Sequence, residues 1–157
     1  VRPFREETLR YGEYAKAGEF VFDRPFLWGS RRIGPDLLRV GGKYPDMWHY
    51  NHMLDPRSTS PGSLMPEYGH LFTDPLSMDG IDAKVKMFRS TFDAPYGDYE
   101  VDNAEVLAVV QAGEIADGLV AQGLPDVRDK KIVALIAYLQ RLGRDVQMAP
   151  APTAEEG

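Results

Sequence analysis

The 157-residue sequence contains no cysteine. That excludes disulfides, thiolate metal sites and thiol catalysis among these residues. It has no basic run. With a net charge of −6 and a pI near 5.0, it is not built to hold nucleic acid. No apolar stretch approaches the roughly 18 to 20 residues needed to span a bilayer. The opening residues, Val1-Arg-Pro-Phe-Arg-Glu-Glu7, are polar and charged rather than the apolar core of a signal peptide. Strand signals are weak and there is no internal repeat. Histidine occurs three times, and no Ser-His-Asp order, His-Glu-x-x-His motif or phosphate-binding glycine loop is present. A hydrolase reading has nothing specific to stand on.

What is there is unevenly spread. Nearly all of the tyrosine, phenylalanine and tryptophan lies at or before Tyr99, with Tyr138 alone beyond it, and glycine and proline follow the same bias. The first hundred residues therefore read as loops packed around aromatics, a composition that a large apolar cofactor would complete. The remainder reads as helix, so the fold class expected is all-α with long loops.

Thr8 to Lys16 is a possible short helix, and residues 28–44 read as a glycine-rich loop. Pro45-Asp46 opens a short helix through Met53, with proline in the first turn where its missing N–H costs nothing, and Asp55-Pro56 ends it. Residues 57–69 then read as a second loop. From Met78 a helix is expected through Phe92, because Ile81, Val85, Phe88 and Phe92 recur at helical spacing. Asp93 to Asp98 is a turn. Asp102 or Asn103 caps the next helix, with Val106, Val109, Val110, Gly113 and Ala116 or its neighbours on one face, and Gly123 terminates it. Asp129 caps the clearest helix of all, in which Ile132, Leu135, Ile136, Leu139 and Leu142 share a stripe before Gly143. Residues 147–157 are too poor in apolar groups to fold and are expected to form a disordered tail.

Two short motifs carry chemistry. In Gly34-Pro-Asp-Leu37, a proline carbonyl in a tight turn can accept a hydrogen bond from the outer ring N–H of a metal-bound histidine. Such dipeptides are also ordinary turn signals. Gly41-Gly42 would let backbone pass close to a flat ligand, or simply relax the loop. In Met65-Pro66 the thioether is a soft ligand suited to haem iron, and the proline stiffens its loop. A methionine filling an irregular core gap is the plainer alternative. His49 and His52 lie three apart on one helix, with Asp46 and Asp55 nearby. They make an incomplete zinc site, and His70 stands alone in a loop.

Taken in order, the segments decide more than any one motif. Arg2-Pro-Phe-Arg5, Tyr11-Gly-x-Tyr14, Asp23-Arg-Pro-Phe-x-Trp-Gly-Ser30, Gly34-Pro-Asp-Leu-x-Arg-Val-Gly-Gly-Lys-Tyr44, Trp48-His49, Asp55-Pro-Arg57, Ser63-x-Met-Pro-x-Tyr68 and Ile132-Val-Ala-Leu-Ile-Ala-Tyr-Leu-Gln-Arg-Leu-Gly143 follow one another along the chain. This succession closely resembles the monohaem cytochrome c subunit (subunit II) of cbb3-type cytochrome c oxidases, over residues 1–146. Residues 78–123 match that family's inserted helical segment only loosely.

The resemblance implies a cytochrome c-like domain at the periplasmic face of the bacterial inner membrane. It would be an electron-transfer subunit without catalysis of its own, relaying electrons from a second cytochrome c subunit to the haem–copper catalytic subunit. By the same resemblance the cofactor of the parent is haem c. Met65 would be the distal iron ligand and Pro35 the support of the proximal histidine. Lys43 would lie near a haem propionate, and Trp28, Tyr44 and Trp48 would line the pocket. The last helix, around Tyr138 and Leu139, would pack on the first helix of the domain.

In that family a transmembrane helix and Cys-x-x-Cys-His precede the Arg-Pro-Phe segment, and these residues contain neither. The chain therefore reads as a cytochrome domain truncated after its attachment motif and lacking its N-terminal helix, with no haem of its own and no membrane anchor. Leaving Leu135, Ile136 and Leu139 uncovered would cost about 1.5–3 kcal/mol each, so a compensating packing is expected. Two other readings follow from the same residues. One is a cofactor-free docking module of an oxidase complex, and the other a small metal enzyme built on His49, His52 and Asp46 or Asp55.

Overall fold

The structure is a computed structural model that describes residues 16–21, 25–26, 28 and 37–144. The expected helix at Thr8–Lys16 lies outside these apart from Lys16, as does the tail at 147–157. Among the described residues there are six α-helices and no strand, so the all-α expectation holds. The helices are α1 (Asp46–Leu54), α2 (Pro56–Thr59), α3 (Ile81–Phe92), α4 (Asp98–Asp102), α5 (Ala104–Val120) and α6 (Lys131–Arg141), with short 3-10 turns at Ala17–Phe20 and Gly69–Phe72. No described helix is long and apolar enough to cross a membrane.

The chain divides into two compact units: residues Val1–Pro45 with Tyr138–Gly157, and residues Asp46–Ala137. The second unit is held by α6. Its Ile132, Val133 and Ile136 are buried with Tyr50 of α1, Ala112 and Leu119 of α5, and Val127. Burying each such side chain stabilises the fold by about 1.5–3 kcal/mol. Alanine at 112 and 116, both buried, keeps the inner face of α5 smooth enough for neighbouring backbone to approach. The feared exposure does not arise: Ile136 and Leu139 are buried and Leu135 is half-buried.

The face expected on α5 is split: Ala116 is buried as expected, but the valines point outward. Val106, Val109 and Val110 are all more than half exposed, while Ala104, Ala112, Ala116 and Leu119 face inward. The helix carries apolar residues on more than one side, and the small-residue face is the one that permits the closer approach.

Residues 74–76 run antiparallel to residues 129–131. Leu76 N–H donates to the Asp129 carbonyl at 2.7 Å and Lys131 N–H to the Asp74 carbonyl at 3.2 Å, and the Lys131 ammonium reaches the Asp74 carboxylate at 2.9 Å. Arg128 fastens the end of α5 nearby through Asp117 at 3.0 Å and Asp126 at 2.7 Å.

Two short helices occupy stretches read as loop or turn. Asp55-Pro56 does end α1, but it also starts α2: the Asp55 carboxylate accepts from Arg57 N–H at 3.0 Å, and Pro56 takes the first turn. One single-turn helix, α4, forms where Glu100 reaches back to Gly97 N–H at 2.7 Å. Asn103 does stand at the start of α5, yet its amide donates back to the Tyr99 carbonyl at 2.9 Å and closes α4 instead. Asp129 does not act as the expected cap either: its carboxylate takes the Lys130 ammonium at 2.9 Å.

In the first unit the Gly41-Gly42 pair meets the end of α6. Gly41 N–H donates to the Leu142 carbonyl at 2.9 Å, and Gly42 N–H to the Gln140 side chain at 2.9 Å. A Cβ on residue 41 would sit 2.5 Å from the Gln140 carbonyl oxygen and 2.6 Å from that of Leu142. The Gln140 amide donates in turn to the Tyr44 carbonyl at 2.9 Å. Gly143, with φ of +82°, ends the helix in the left-handed conformation expected of it.

Candidate functional site

Met65 lies in the second unit, on the loop between α2 and the 3-10 turn at Gly69–Phe72. Proline at 66 restricts Met65 to extended backbone, and Met65 N–H donates to the Ser63 hydroxyl at 3.2 Å. Ser63 N–H donates to the Ser60 carbonyl at 3.0 Å, and Tyr68 N–H to the Met53 carbonyl on α1 at 2.9 Å. The loop is thereby fastened at its exit. Met65 is half-buried, whereas its neighbour Leu64 is 98% exposed. Met65 thus sits at a partly covered position in a loop whose backbone is hydrogen-bonded on either side of it.

The remaining candidates are distributed as follows. Trp48 belongs to the second unit, one turn before His52 on α1. The two rings stack, with centroids 4.4 Å apart and planes inclined by 14°, and Trp48 meets His49 edge-on at 5.4 Å. Lys43 and Tyr44 belong to the first unit, where the Lys43 ammonium lies 5.3 Å from the centre of the Tyr44 ring. Trp28, also of the first unit, is half-buried. Pro35 lies outside the described residues.

The histidines do different things. His49 is 2% exposed. Burial pushes its pKa below the ordinary value, Asp46 pulls it back up, and His52 adds to the lowering. His52, half-buried, is also held below the ordinary range by burial. Its Nδ1 lies 2.5 Å from the Thr59 hydroxyl on α2. Among the described residues no three of histidine, aspartate and glutamate converge on a point where a cation would sit, and Asp55 is occupied as the cap of α2. The metal-enzyme reading thus loses its donor set.

What the sequence reading missed is the Trp48–His52–Thr59 chain of contacts. The spacing of Trp48 and His52, four apart on a helix, is the signal that could have revealed it.

Set against the chemistry of a haem c centre, these residues fit one half. A tethered methionine on a proline-stiffened loop is the soft axial donor such a centre needs. The thioether attachment is not available within these 157 residues, which hold no cysteine.

No curated protein matches the chain. The sequence family described as cytochrome C oxidase, mono-heme subunit/FixO, matches residues 1–146. That span takes in the whole of both helical units except the terminal tail, and it includes Met65, Trp48 and Lys43. The chain belongs to the family of mono-haem subunits of cytochrome c oxidase.

Proposed function

We propose that this chain is the electron-transfer domain of a cbb3-type terminal oxidase, with Met65 as the distal axial ligand of haem c in the parent subunit. The observation that carries the reading is the family match over residues 1–146, together with a Met65-Pro66 loop whose backbone is fastened to α1. When bound, haem c supplies one-electron Fe(III)/Fe(II) chemistry, and methionine ligation raises its potential. The work of this chain is to hold the sulfur of Met65 at a fixed place and to keep that place partly dry. Pro35 is assigned to the support of the proximal histidine and Lys43 to a propionate, with Trp28, Tyr44 and Trp48 as lining.

Electrons would arrive from the second cytochrome c subunit and leave for the haem–copper catalytic subunit, on the periplasmic face of the inner membrane. These residues form no covalent haem bond of their own, because both thioethers require cysteine. The test is Met65→Ala in the assembled oxidase. Loss of the methionine–iron charge-transfer band and a lowered midpoint potential are expected. An unchanged band would remove Met65 from the role. A covalent haem on the isolated 157-residue polypeptide, seen as a haem-staining band after denaturation, would contradict the reading of this chain as the non-attaching part.

A further inference from the structure

We infer that His52 is a positioning residue for the sulfur of Met65, acting through the hydroxyl of Thr59 to fix the entry of the methionine loop. This rests on the proposed role of Met65 as an iron ligand. The loop from Thr59 to Tyr68 is fastened at two points, and they fall on consecutive residues of α1. At its exit, Tyr68 N–H donates to the Met53 carbonyl at 2.9 Å. At its entry, the Thr59 hydroxyl meets His52 Nδ1 at 2.5 Å. The exit bond is backbone to backbone and survives most substitutions. The entry bond is made by two side chains, so it is the one the sequence chooses.

The proton count admits this contact in two forms. The Thr59 hydroxyl lies 3.3 Å from the Pro56 carbonyl oxygen, to which it can donate. Donating there, the hydroxyl would accept from His52 Nδ1–H; donating to Nδ1 instead, it would keep the same side-chain link, with the ring proton on Nε2. Trp48, stacked on the imidazole at 4.4 Å, fixes its plane. Between the two fastenings the chain is further folded on itself by Ser60 N–H to the Pro56 carbonyl at 3.0 Å, Ser63 N–H to the Ser60 carbonyl at 3.0 Å, and Met65 N–H to the Ser63 hydroxyl at 3.2 Å. A displaced entry is therefore passed along short rigid links to Met65, not absorbed by slack.

The test uses Thr59→Val, Thr59→Ser and Met65→Ala in the assembled, haem-loaded oxidase. Two properties are read: the methionine–iron charge-transfer band, and the alkaline midpoint at which methionine leaves the iron. Thr59→Val is expected to raise the fraction with displaced methionine by roughly two- to tenfold, the span expected for one lost hydrogen bond. Thr59→Ser, which keeps the hydroxyl, should behave as the parent.

Equal shifts in Thr59→Val and Thr59→Ser, or no shift in Thr59→Val, overturn the inference while leaving Met65 as the ligand. A band that persists in Met65→Ala overturns the ligand assignment itself. A second readout needs no haem: amide hydrogen exchange on this chain. There Thr59→Val and His52→Leu should speed exchange at Ser63, Met65 and Tyr68 and leave Ile132 to Ile136 unchanged. His52→Asn, which keeps a hydrogen-bonding group at the Nδ1 position, should restore part of the protection. Uniform acceleration across both regions would mark a general loss of stability and overturn the specific role.

Discussion

Helices α3 and α6 carry the same kind of apolar stripe and meet different fates. In α6, Ile132, Ile136 and Leu139 are buried, and the first two have no exposed surface at all. In α3, Ile81, Val85, Phe88 and Phe92 recur just as regularly, yet no residue of the helix is buried and Phe92 is 50% exposed. The periodicity of a helix states which face is apolar. It does not state whether the rest of the chain supplies something to cover that face. For α6 the cover comes from Tyr50, Ala112, Leu119 and Val127, and no residue of α3 joins that cluster.

The largest effect that would sharpen this contrast is at Ile136. Ile136→Ala should lower stability by about 2–5 kcal/mol in chemical denaturation. Phe88→Ala, at a half-exposed position, should cost about 1 kcal/mol or less. Equal costs would mean that the stripe of α3 is as well covered as that of α6.

Next comes Gly41→Ala. Its new methyl group would press on two backbone carbonyls at the end of α6, at 2.5 and 2.6 Å, and neither can swing aside. A loss of about 1–3 kcal/mol is expected, visible as a lowered melting temperature. Gly18→Ala, which meets nothing within 4 Å, is the matched control. If the two substitutions behave alike, the seat of Gly41 on the helix end is not a close one.

A smaller effect is expected from pH. His49 and His52 are both held below their ordinary value of 6.5, chiefly by burial. The unfolded chain therefore takes up protons before the folded one does. Stability should be full above pH 6.5 and decline as pH falls from there toward the lowered folded values. Urea midpoints at pH 7.5 and at about pH 5.5 would show it. The slope should shrink when His49 is replaced by a residue that does not titrate. A flat profile would mean that burial does not disfavour the charged rings.

The smallest effect belongs to Lys131→Gln, which removes an exposed ion pair with Asp74. Its melting temperature should be nearly that of the parent, because water screens such pairs and the backbone bonds beside them remain.

The sequence made the main helices legible wherever one local rule acted alone. The stripe of α6 and the stop at Gly143 needed only periodicity and a glycine able to adopt φ of +82°. The start of α1 at Asp46 was equally plain. What escaped were elements in which one residue serves two neighbours. Asp55-Pro56 closes one helix and opens another, so reading it as a stop was right and incomplete. Asn103 has the chemistry of a cap, but its amide is turned back to donate to the carbonyl of Tyr99 and caps no N–H of α5.

Met65 was picked out from its proline and its place in the order of motifs. The bond between His52 and Thr59 was not, because it joins two residues that no periodicity connects. Lys43 and Tyr44 were assigned by resemblance. The structure adds that their rings and charges also engage each other.

The short antiparallel contact between residues 74–76 and 129–131 has a topological consequence. The chain leaves and re-enters the same spot, so residues 77–128 form a closed excursion with its two feet side by side. Within such an excursion, length is inexpensive: doubling a flexible loop adds only about 0.6 kcal/mol of closure entropy. Residues added or removed around Ser90 to Gly97 would alter the far end of the excursion while its feet stayed together. Relatives of this chain can therefore differ in that stretch and still present the same methionine loop on one side of the junction and the same closing helix on the other.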